Sequence, residues 1–164
     1  MKKIHLLTMM AVLVAIGTIG SQFLWFPAGI AKAYPVQHAV NVIAAVLLGP
    51  GPAVGIAIVI GLIRNMLGLG TLLAFPGGMI GAFLAGILYK KLEKKRWAAA
   101  GEMIGTGIVG SLFAVPFSTI LLGNAVGAFF FMPSFLVSSI TGAFIGLFIV
   151  SRLNQRAITR IQET

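Results

Sequence analysis

Few side chains in this chain of 164 residues can do chemistry, and the polar ones gather in two stretches. Gln37, His38 and Asn41 form the first stretch, and Arg64 and Asn65 form the second. A helix places His38 and Asn41 on one face, because they are three residues apart. The chain has no Cys and no Asp, and only three Glu. This pattern favours hydrogen bonding to a small ligand, and we expect neither a bound metal nor a cofactor.

The residues around these stretches indicate that a lipid bilayer is the main solvent of the chain. Apolar residues make up 59% of the sequence, charged residues only 9%, and the mean hydropathy is +1.04. Soluble domains carry about 25% charged residues, so this chain cannot cover a water-exposed surface.

Six apolar segments follow one another along the chain. A membrane-spanning helix needs about 20 such residues. We therefore predict an all-α integral membrane protein, a six-helix bundle forming one membrane domain over residues 1–164. The predicted spans are approximately 4–24, 37–48, 52–69, 77–89, 97–122 and 129–150.

The basic residues predict the topology, since short cytoplasmic loops accumulate Lys and Arg. Ten Lys and Arg residues fall on one side of the six-span arrangement. The three loops on the other side contain one basic residue, Lys32. Both termini are therefore predicted to be cytoplasmic, in a multi-pass protein of the cell membrane. Because the net charge of +9 has this topological origin, nucleic acid is not expected as a partner. The ten residues are Lys2, Lys3, Lys90, Lys91, Lys94, Lys95, Arg96, Arg152, Arg156 and Arg160.

Two alternatives fit the same charge pattern. The first twenty residues could be a cleaved signal peptide, although their apolar run is long for one. The second and third segments could also form one re-entrant hairpin around Gly49-Pro50-Gly51-Pro52.

The predicted second and fourth segments are too short to cross a bilayer. Segments 37–48 and 77–89 reach only about 18 to 20 Å, against about 30 Å of hydrocarbon. We expect the missing depth on the outer side and a water-filled cavity there, because non-helical backbone at membrane depth is tolerated where it lines a cavity. Gln37, His38, Asn41 and Arg64 converge on this region.

Arg64 has no acidic partner on the outer side, since every Glu lies on or near the inner side in this arrangement. Its partners are then backbone carbonyls, Asn41, water or a ligand, and the alternative is that it snorkels to headgroups. Glu102 is predicted to pair with Arg96 or Lys95 at the cytoplasmic interface, with proton coupling as the other interpretation.

Aromatic and small polar residues complete the predicted pocket. Trp25, Tyr34 and Phe75 are candidates for its faces, although such residues also serve as interfacial anchors. Thr71 and Asn124 add a hydroxyl and an amide on the outer side.

Small residues recur at a spacing of four, as in Gly77/Gly81, Ala82/Gly86 and Gly142/Gly146. Such pairs let membrane helices approach closely. The pair Ala11/Ala15 could instead form a docking strip for another subunit.

No catalytic motif is present, and a phosphate-binding G-x-x-x-x-G-K-[ST] loop is missing. His38 and Glu102 are predicted on opposite sides of the membrane, so they form no acid–base pair. The chain is therefore not expected to be an enzyme, and active transport would draw its energy from a partner.

With these features, the chain resembles the substrate-binding S components of energy-coupling factor (ECF) transporters, and more specifically the ThiW family. The resemblance rests on Tyr34-Pro35-Val36-Gln37-His38 with Asn41, Leu48-Gly49-Pro50, Arg64-Asn65 leading to Gly68-Leu69-Gly70-Thr71, and Ala74-Phe75-Pro76-Gly77-Gly78.

The resemblance implies a transport mechanism. S components bind a vitamin or precursor in an outward-facing pocket and then associate with a transmembrane coupling subunit that carries two ATPase subunits. ATP is used by those partners, and the complex topples the S component to deliver its ligand. Ala11 and Ala15 would match the docking surface for the coupling subunit.

The resemblance also implies a small heterocyclic substrate, hydroxyethylthiazole, a precursor of thiamine. Trp25, Tyr34 or Phe75 would cover its ring, Gln37, His38 or Asn65 would bind its nitrogen, and Asn41 or Arg64 its hydroxyl. A phosphorylated thiazole, another vitamin, or a stand-alone carrier or channel are the alternatives.

Overall fold

The computed structural model describes residues 2–29, 31–123, 126–127 and 129–163. Almost all regular structure in this part of the chain is helical, with one short hairpin. The elements are α1 (Lys3–Phe23), β1 (Phe26–Ala28), β2 (Ala31–Ala33), α2 (Pro35–Leu48), α3 (Pro50–Met66), α4 (Ala74–Leu92), α5 (Lys95–Glu102), a π-helical segment (Met103–Gly110), α6 (Ser111–Leu122), α7 (Met132–Ser151) and α8 (Gln155–Glu163).

Three helices are long and apolar enough to cross a membrane, namely Lys3–Phe23, Lys95–Leu121 and Met132–Ser151. The second of these is one continuous helix made of α5, the π segment and α6. α2 and α3 are shorter apolar helices. Large apolar side chains are exposed along α1, including Ile4, Leu7 and Phe23. A surface of this kind is solvated by lipid.

Of the two helices predicted to be short, the structure corrects one and confirms the other. α4 extends from Ala74 to Leu92, 19 residues that reach about 28 Å, so the fourth helix is not short. α2 has 14 residues and reaches about 21 Å, so the predicted shortness of the second helix is confirmed.

α2 lies at the centre of the bundle. Of its 14 residues, 11 are buried, and it packs against α1, α3, α4 and α7. α7 comes close because Gly142 and Gly146 face α2. A Cβ on Gly142 would lie 2.3 Å from the carbonyl oxygen of Pro35, and one on Gly146 would lie 2.8 Å from that of Ala39. The predicted role of this small pair in packing is confirmed.

A second close packing joins α4 to the long helix. A Cβ on Gly105 would lie 2.6 Å from the Cα of Gly81, and one on Gly110 would lie 2.4 Å from the Cα of Gly77. Glycine at both helices therefore lets the two backbones touch, which brings the side chains of the π segment against α4.

The junction between α2 and α3 is a tight turn rather than a loop. Gly49 has φ +84°, a conformation that glycine adopts without steric cost, and Pro50 occupies the first turn of α3. The third helix thus begins at Pro50, two residues before the predicted start at Pro52.

The hairpin between α1 and α2 was not predicted. β1 pairs antiparallel with β2, and Phe26 lies opposite Ala33. The hydroxyl of Ser134 donates to the carbonyl oxygen of Ala28 at 2.6 Å, and the backbone N–H of Tyr34 donates to the hydroxyl of Ser138 at 2.9 Å. Both bonds attach the hairpin and the start of α2 to α7.

α8 was also not predicted. It returns to the bundle, where Ile158 is fully buried and the side-chain amide of Gln162 donates to the carbonyl oxygen of Val46 at 3.2 Å. α8 therefore packs beneath the C-terminal end of α2.

Candidate binding site

Six polar side chains from four segments meet inside the bundle, and we call them the buried polar cluster. Each is at most 8% exposed. α2 supplies three of them, α3 and α5 one each, and the π segment the last. The members are Gln37, His38, Asn41, Arg64, Glu102 and Thr106.

The centre of the cluster is the carboxylate of Glu102. The Nδ1 atom of His38 lies 2.7 Å from Oε1 of Glu102. This contact corrects two predictions. His38 and Glu102 are not on opposite sides of the membrane, and Glu102 does not pair with Arg96 or Lys95. The Lys95 ammonium instead donates to the carbonyl oxygen of Leu153 at 2.5 Å, and the Arg96 guanidinium lies 6.0 Å from the ring centroid of Trp97.

Asn41 and Thr106 complete the surroundings of this carboxylate. Nδ2 of Asn41 lies 3.2 and 3.3 Å from the two carboxylate oxygens and 3.2 Å from the carbonyl oxygen of Gly78. The hydroxyl of Thr106 lies 2.8 Å from Oε1 of Glu102 and 3.0 Å from the carbonyl oxygen of Gly77. The glycines of α4 thus supply backbone carbonyls as hydrogen-bond acceptors. Because they have no side chain, they also leave room for the carboxylate.

Arg64 forms the other half of the cluster. Its Nη1 donates to Oε1 of Gln37, and its Nη2 donates to the carbonyl oxygen of Leu69 at 3.0 Å. Its guanidinium also lies 3.9 Å from the ring centroid of Tyr34, in cation–π contact. The prediction of backbone carbonyl partners is confirmed. Snorkelling to headgroups is wrong, since Arg64 is only 4% exposed.

Two buried atoms of the cluster have no hydrogen-bond partner in the described part of the chain. They are the acceptor Oδ1 of Asn41 and the donor Nε of Arg64. Buried polar atoms in folded proteins nearly always have partners, and each exception calls for an explanation. A bound ligand that donates one hydrogen bond and accepts another would supply both.

Within the described part of the chain, the open, water-filled recess predicted around these residues is not found. Gln37, His38, Asn41 and Arg64 are buried and bonded to one another or to the backbone, and the half-buried Tyr34 lies on Arg64. The predicted convergence of polar groups is present, but in a closed arrangement.

The other predicted pocket residues lie outside these contacts. Trp25 is 44% exposed and carries the Lys32 ammonium 4.0 Å from its ring centroid. Asn65 donates to the carbonyl oxygen of Gly61 in its own helix at 2.8 Å. Thr71 is exposed in the turn before α4, while Phe75 packs on Gly61. Asn124 is outside the described residues.

Glu102 and Thr106 were missed as site residues. Glu102 carried a usable signal, because an ionisable residue inside an apolar helix is a functional candidate by default. Its depth was misjudged, since the start of α2 was placed too near the outer surface. Thr106 lies one helical turn further along, with no signal beyond that spacing.

Ala11 and Ala15 lie away from this cluster, on the exposed face of α1. Both line an apolar groove between α1 and α3 with a volume of about 500 Å³. Its α3 wall includes Gly55, Val59 and Ile63. This surface is open to lipid or to another membrane helix.

The described residues contain no group of three or more His, Cys, Asp or Glu side chains that could hold a metal ion.

Residues 7–156 match the family profile described as thiamine-precursor transporter protein (ThiW). No curated protein and no solved structure matches the chain.

Proposed function

The chain belongs to the ThiW family of thiamine-precursor transporter proteins, and we propose that it is the substrate-binding subunit of an ECF-type importer for hydroxyethylthiazole. One observation supports this proposal most strongly. A cluster of buried polar side chains inside a lipid-solvated bundle has two hydrogen-bonding atoms without a partner among the described residues, Oδ1 of Asn41 and Nε of Arg64. Such groups are costly in a membrane and mark substrate sites.

In the proposed topology, α1, α2, α3, α4, the long helix α5–α6 and α7 cross the membrane in turn, with both termini cytoplasmic. Contacts at the two ends of the bundle support alternating directions. Lys95 at the start of α5 contacts Leu153 after α7, and Gln162 of α8 contacts Val46 near the end of α2. At the opposite end, Ala28 contacts Ser134 near the start of α7. The end of the bundle with the Lys95 and Gln162 contacts is the one that carries the predicted cytoplasmic Lys and Arg residues.

The substrate would enter from the outer side, where the Tyr34 ring lies over Arg64. It would separate Tyr34 from Arg64 and take up hydrogen bonds with Asn41, Arg64 and His38. A thiazole ring presents a π face to Tyr34, a nitrogen that accepts a hydrogen bond and a hydroxyl that can donate one. Because these groups are buried in a closed arrangement, the ligand would be released only after the protein rearranges.

Energy would come from other chains. The proposed coupling subunit docks in the groove lined by Ala11 and Ala15, because small residues allow a partner helix to approach α1 closely. Two ATPase subunits bound to the coupling subunit would hydrolyse ATP. This chain supplies only the binding site, without a cofactor.

Two measurements test this proposal. Isothermal titration calorimetry of the purified full-length chain is expected to show hydroxyethylthiazole binding without any partner. In proteoliposomes, uptake of the labelled thiazole is expected only when the ATPase module and the coupling subunit are present. Absence of thiazole binding would contradict the substrate. Uptake by this chain alone would instead identify a stand-alone carrier or channel.

A further inference from the structure

The bonds around Glu102 assign it a role in substrate choice. Its carboxylate is fully buried and lies within hydrogen-bond distance of the side chains of His38, Asn41 and Thr106. The amide Nδ2 of Asn41 contacts both carboxylate oxygens. An ionised carboxylate only accepts hydrogen bonds, so it satisfies all of these donors at once.

The carboxylate therefore fixes which atoms of its neighbours remain for a ligand. An ionised Glu102 can only accept at its contact with His38, so Nδ1 of His38 is then the donor. Because Nδ2 of Asn41 donates to Glu102 and to Gly78, the amide is held with Oδ1 turned away, where it has no partner among the described residues. Glu102 thus presents Asn41 as an acceptor.

The unpaired donor lies nearby on α3. Arg64 uses Nη1 and Nη2 on Gln37 and Leu69, which leaves Nε without a partner in the described chain. Gln37 and Asn41 are one turn apart on α2, where neighbouring Cβ atoms are about 5 to 6 Å apart. Arg64, which is bonded to Gln37, and Asn41 are therefore neighbouring members of the cluster, and each has one unpaired atom among the described residues.

Charge adds a second restriction. The Arg64 guanidinium and the Glu102 carboxylate are opposite charges within the same buried polar cluster. Low-dielectric surroundings penalise any unbalanced charge. A ligand that carried a phosphate would add negative charge beside a carboxylate that already balances Arg64.

We propose that Glu102 is a specificity-determining positioning residue, which selects an uncharged ligand that donates one hydrogen bond to Asn41 Oδ1 and accepts one from Arg64 Nε. This inference rests on the proposed function and makes it more specific. The substrate is the free heterocyclic alcohol, and its phosphate monoester is rejected. Glu102 acts through Asn41 and His38 and through its charge.

Calorimetry on the full-length protein with both ligands tests this proposal. Wild type is expected to bind the alcohol at least about tenfold more tightly than the phosphate monoester, in line with the value of a charged hydrogen bond. Glu102→Gln keeps the shape and removes the charge, so it is expected to lower this ratio by about tenfold or more. Glu93→Gln makes the same substitution at an exposed carboxylate outside the cluster, and it is expected to leave the ratio unchanged.

Two results would overturn the proposal. The first is a wild-type protein that binds the phosphate as tightly as the alcohol, and the second is Glu102→Gln weakening both ligands by the same factor. If wild type binds neither ligand, the proposed function fails instead.

The positioning role has a test that needs no ligand. In a His5→Gln background, His38 is the one remaining histidine, and ¹⁵N NMR reports its protonation. The spectrum is expected to show a proton on Nδ1, which is lost from Nδ1 in Glu102→Leu. A parent protein without a proton on Nδ1, or an Nδ1 signal that is unchanged in the variant, would refute the role of Glu102.

Discussion

Nδ1 of His38 and Oε1 of Glu102 lie 2.7 Å apart, although His38 is in the first turn of α2 and Glu102 ends α5. Glu102 is seven residues beyond Lys95, so it lies about 10 Å along the helix from the predicted cytoplasmic end. The start of α2 is therefore at a similar depth, well inside the bilayer in the proposed topology. This contact explains why a helix of only 14 residues can present polar groups to a buried ligand.

His38→Ala and Asn41→Ala are each expected to weaken hydroxyethylthiazole binding by about tenfold or more, because each removes a polar contact from the site. Calorimetry on the purified variants measures this. His5→Ala, on α1, is the matched control and should bind as wild type does. Unchanged affinity in both His38→Ala and Asn41→Ala would remove these residues from the site.

Arg64→Met is expected to destabilise the protein by about 1–3 kcal/mol, because Gln37 Oε1 and the Leu69 carbonyl lose a buried donor. Arg64→Lys should recover little of this, since an ammonium lacks the planar fork that reaches both acceptors. Thermal unfolding in detergent measures the loss. Lys32→Met, an exposed cation on Trp25, is the control. Equal melting temperatures for Arg64→Met and Lys32→Met would contradict the interpretation.

Gly142→Ala is expected to cost about 1–3 kcal/mol, because the new Cβ would lie 2.3 Å from the Pro35 carbonyl oxygen and 2.5 Å from the His38 Cβ. Helices α2 and α7 would have to separate, which also displaces His38. Both thermal stability and thiazole affinity should fall. Gly51→Ala, where nothing lies within 4 Å of the new methyl, is the matched control. A Gly142→Ala protein as stable as Gly51→Ala would show that the helices have room to move.

Ala11→Leu is expected to abolish uptake by the assembled importer while leaving thiazole binding unchanged, because the added side chain fills the groove where the coupling subunit would dock. Val12→Leu lies on the same helix but outside the groove and should transport normally. Uptake in proteoliposomes and calorimetry together separate the two effects. Normal uptake by Ala11→Leu would place the docking surface elsewhere.

Much of the helical framework could be predicted from the sequence, because apolar runs interrupted by charges and Gly/Pro pairs correspond to individual helices. The convergence of Gln37 and Arg64 was also predictable, since both lie at the same end of neighbouring apolar segments. The hairpin was not, because strands of three residues such as Phe26–Ala28 are too short to show alternation. α8 could not be predicted from apolar runs, because this helix is largely polar.

The role of Glu102 could not be predicted from the sequence and became apparent only in the structure. Its distance along the chain from Lys95 suggested an interfacial carboxylate, and only the depth at which α2 begins places His38 beside it. Likewise, an arginine without a nearby acid in the sequence suggested an open polar recess. The structure instead surrounds Arg64 with Gln37, a carbonyl and the Tyr34 ring.

The π segment Met103–Gly110 matters for anyone comparing this protein with its relatives. A π turn spans one more residue than an α turn between bonded groups, so this stretch sets the rotation of α5 relative to α6. If the same residues wound as an ordinary α-helix, without a deletion, the tighter turns would rotate Glu102 away from α2 while α6 kept its place. A homologue with a one-residue gap in this glycine-rich stretch would therefore be expected to wind as an ordinary α-helix and still direct the residue at the position of Glu102 towards α2.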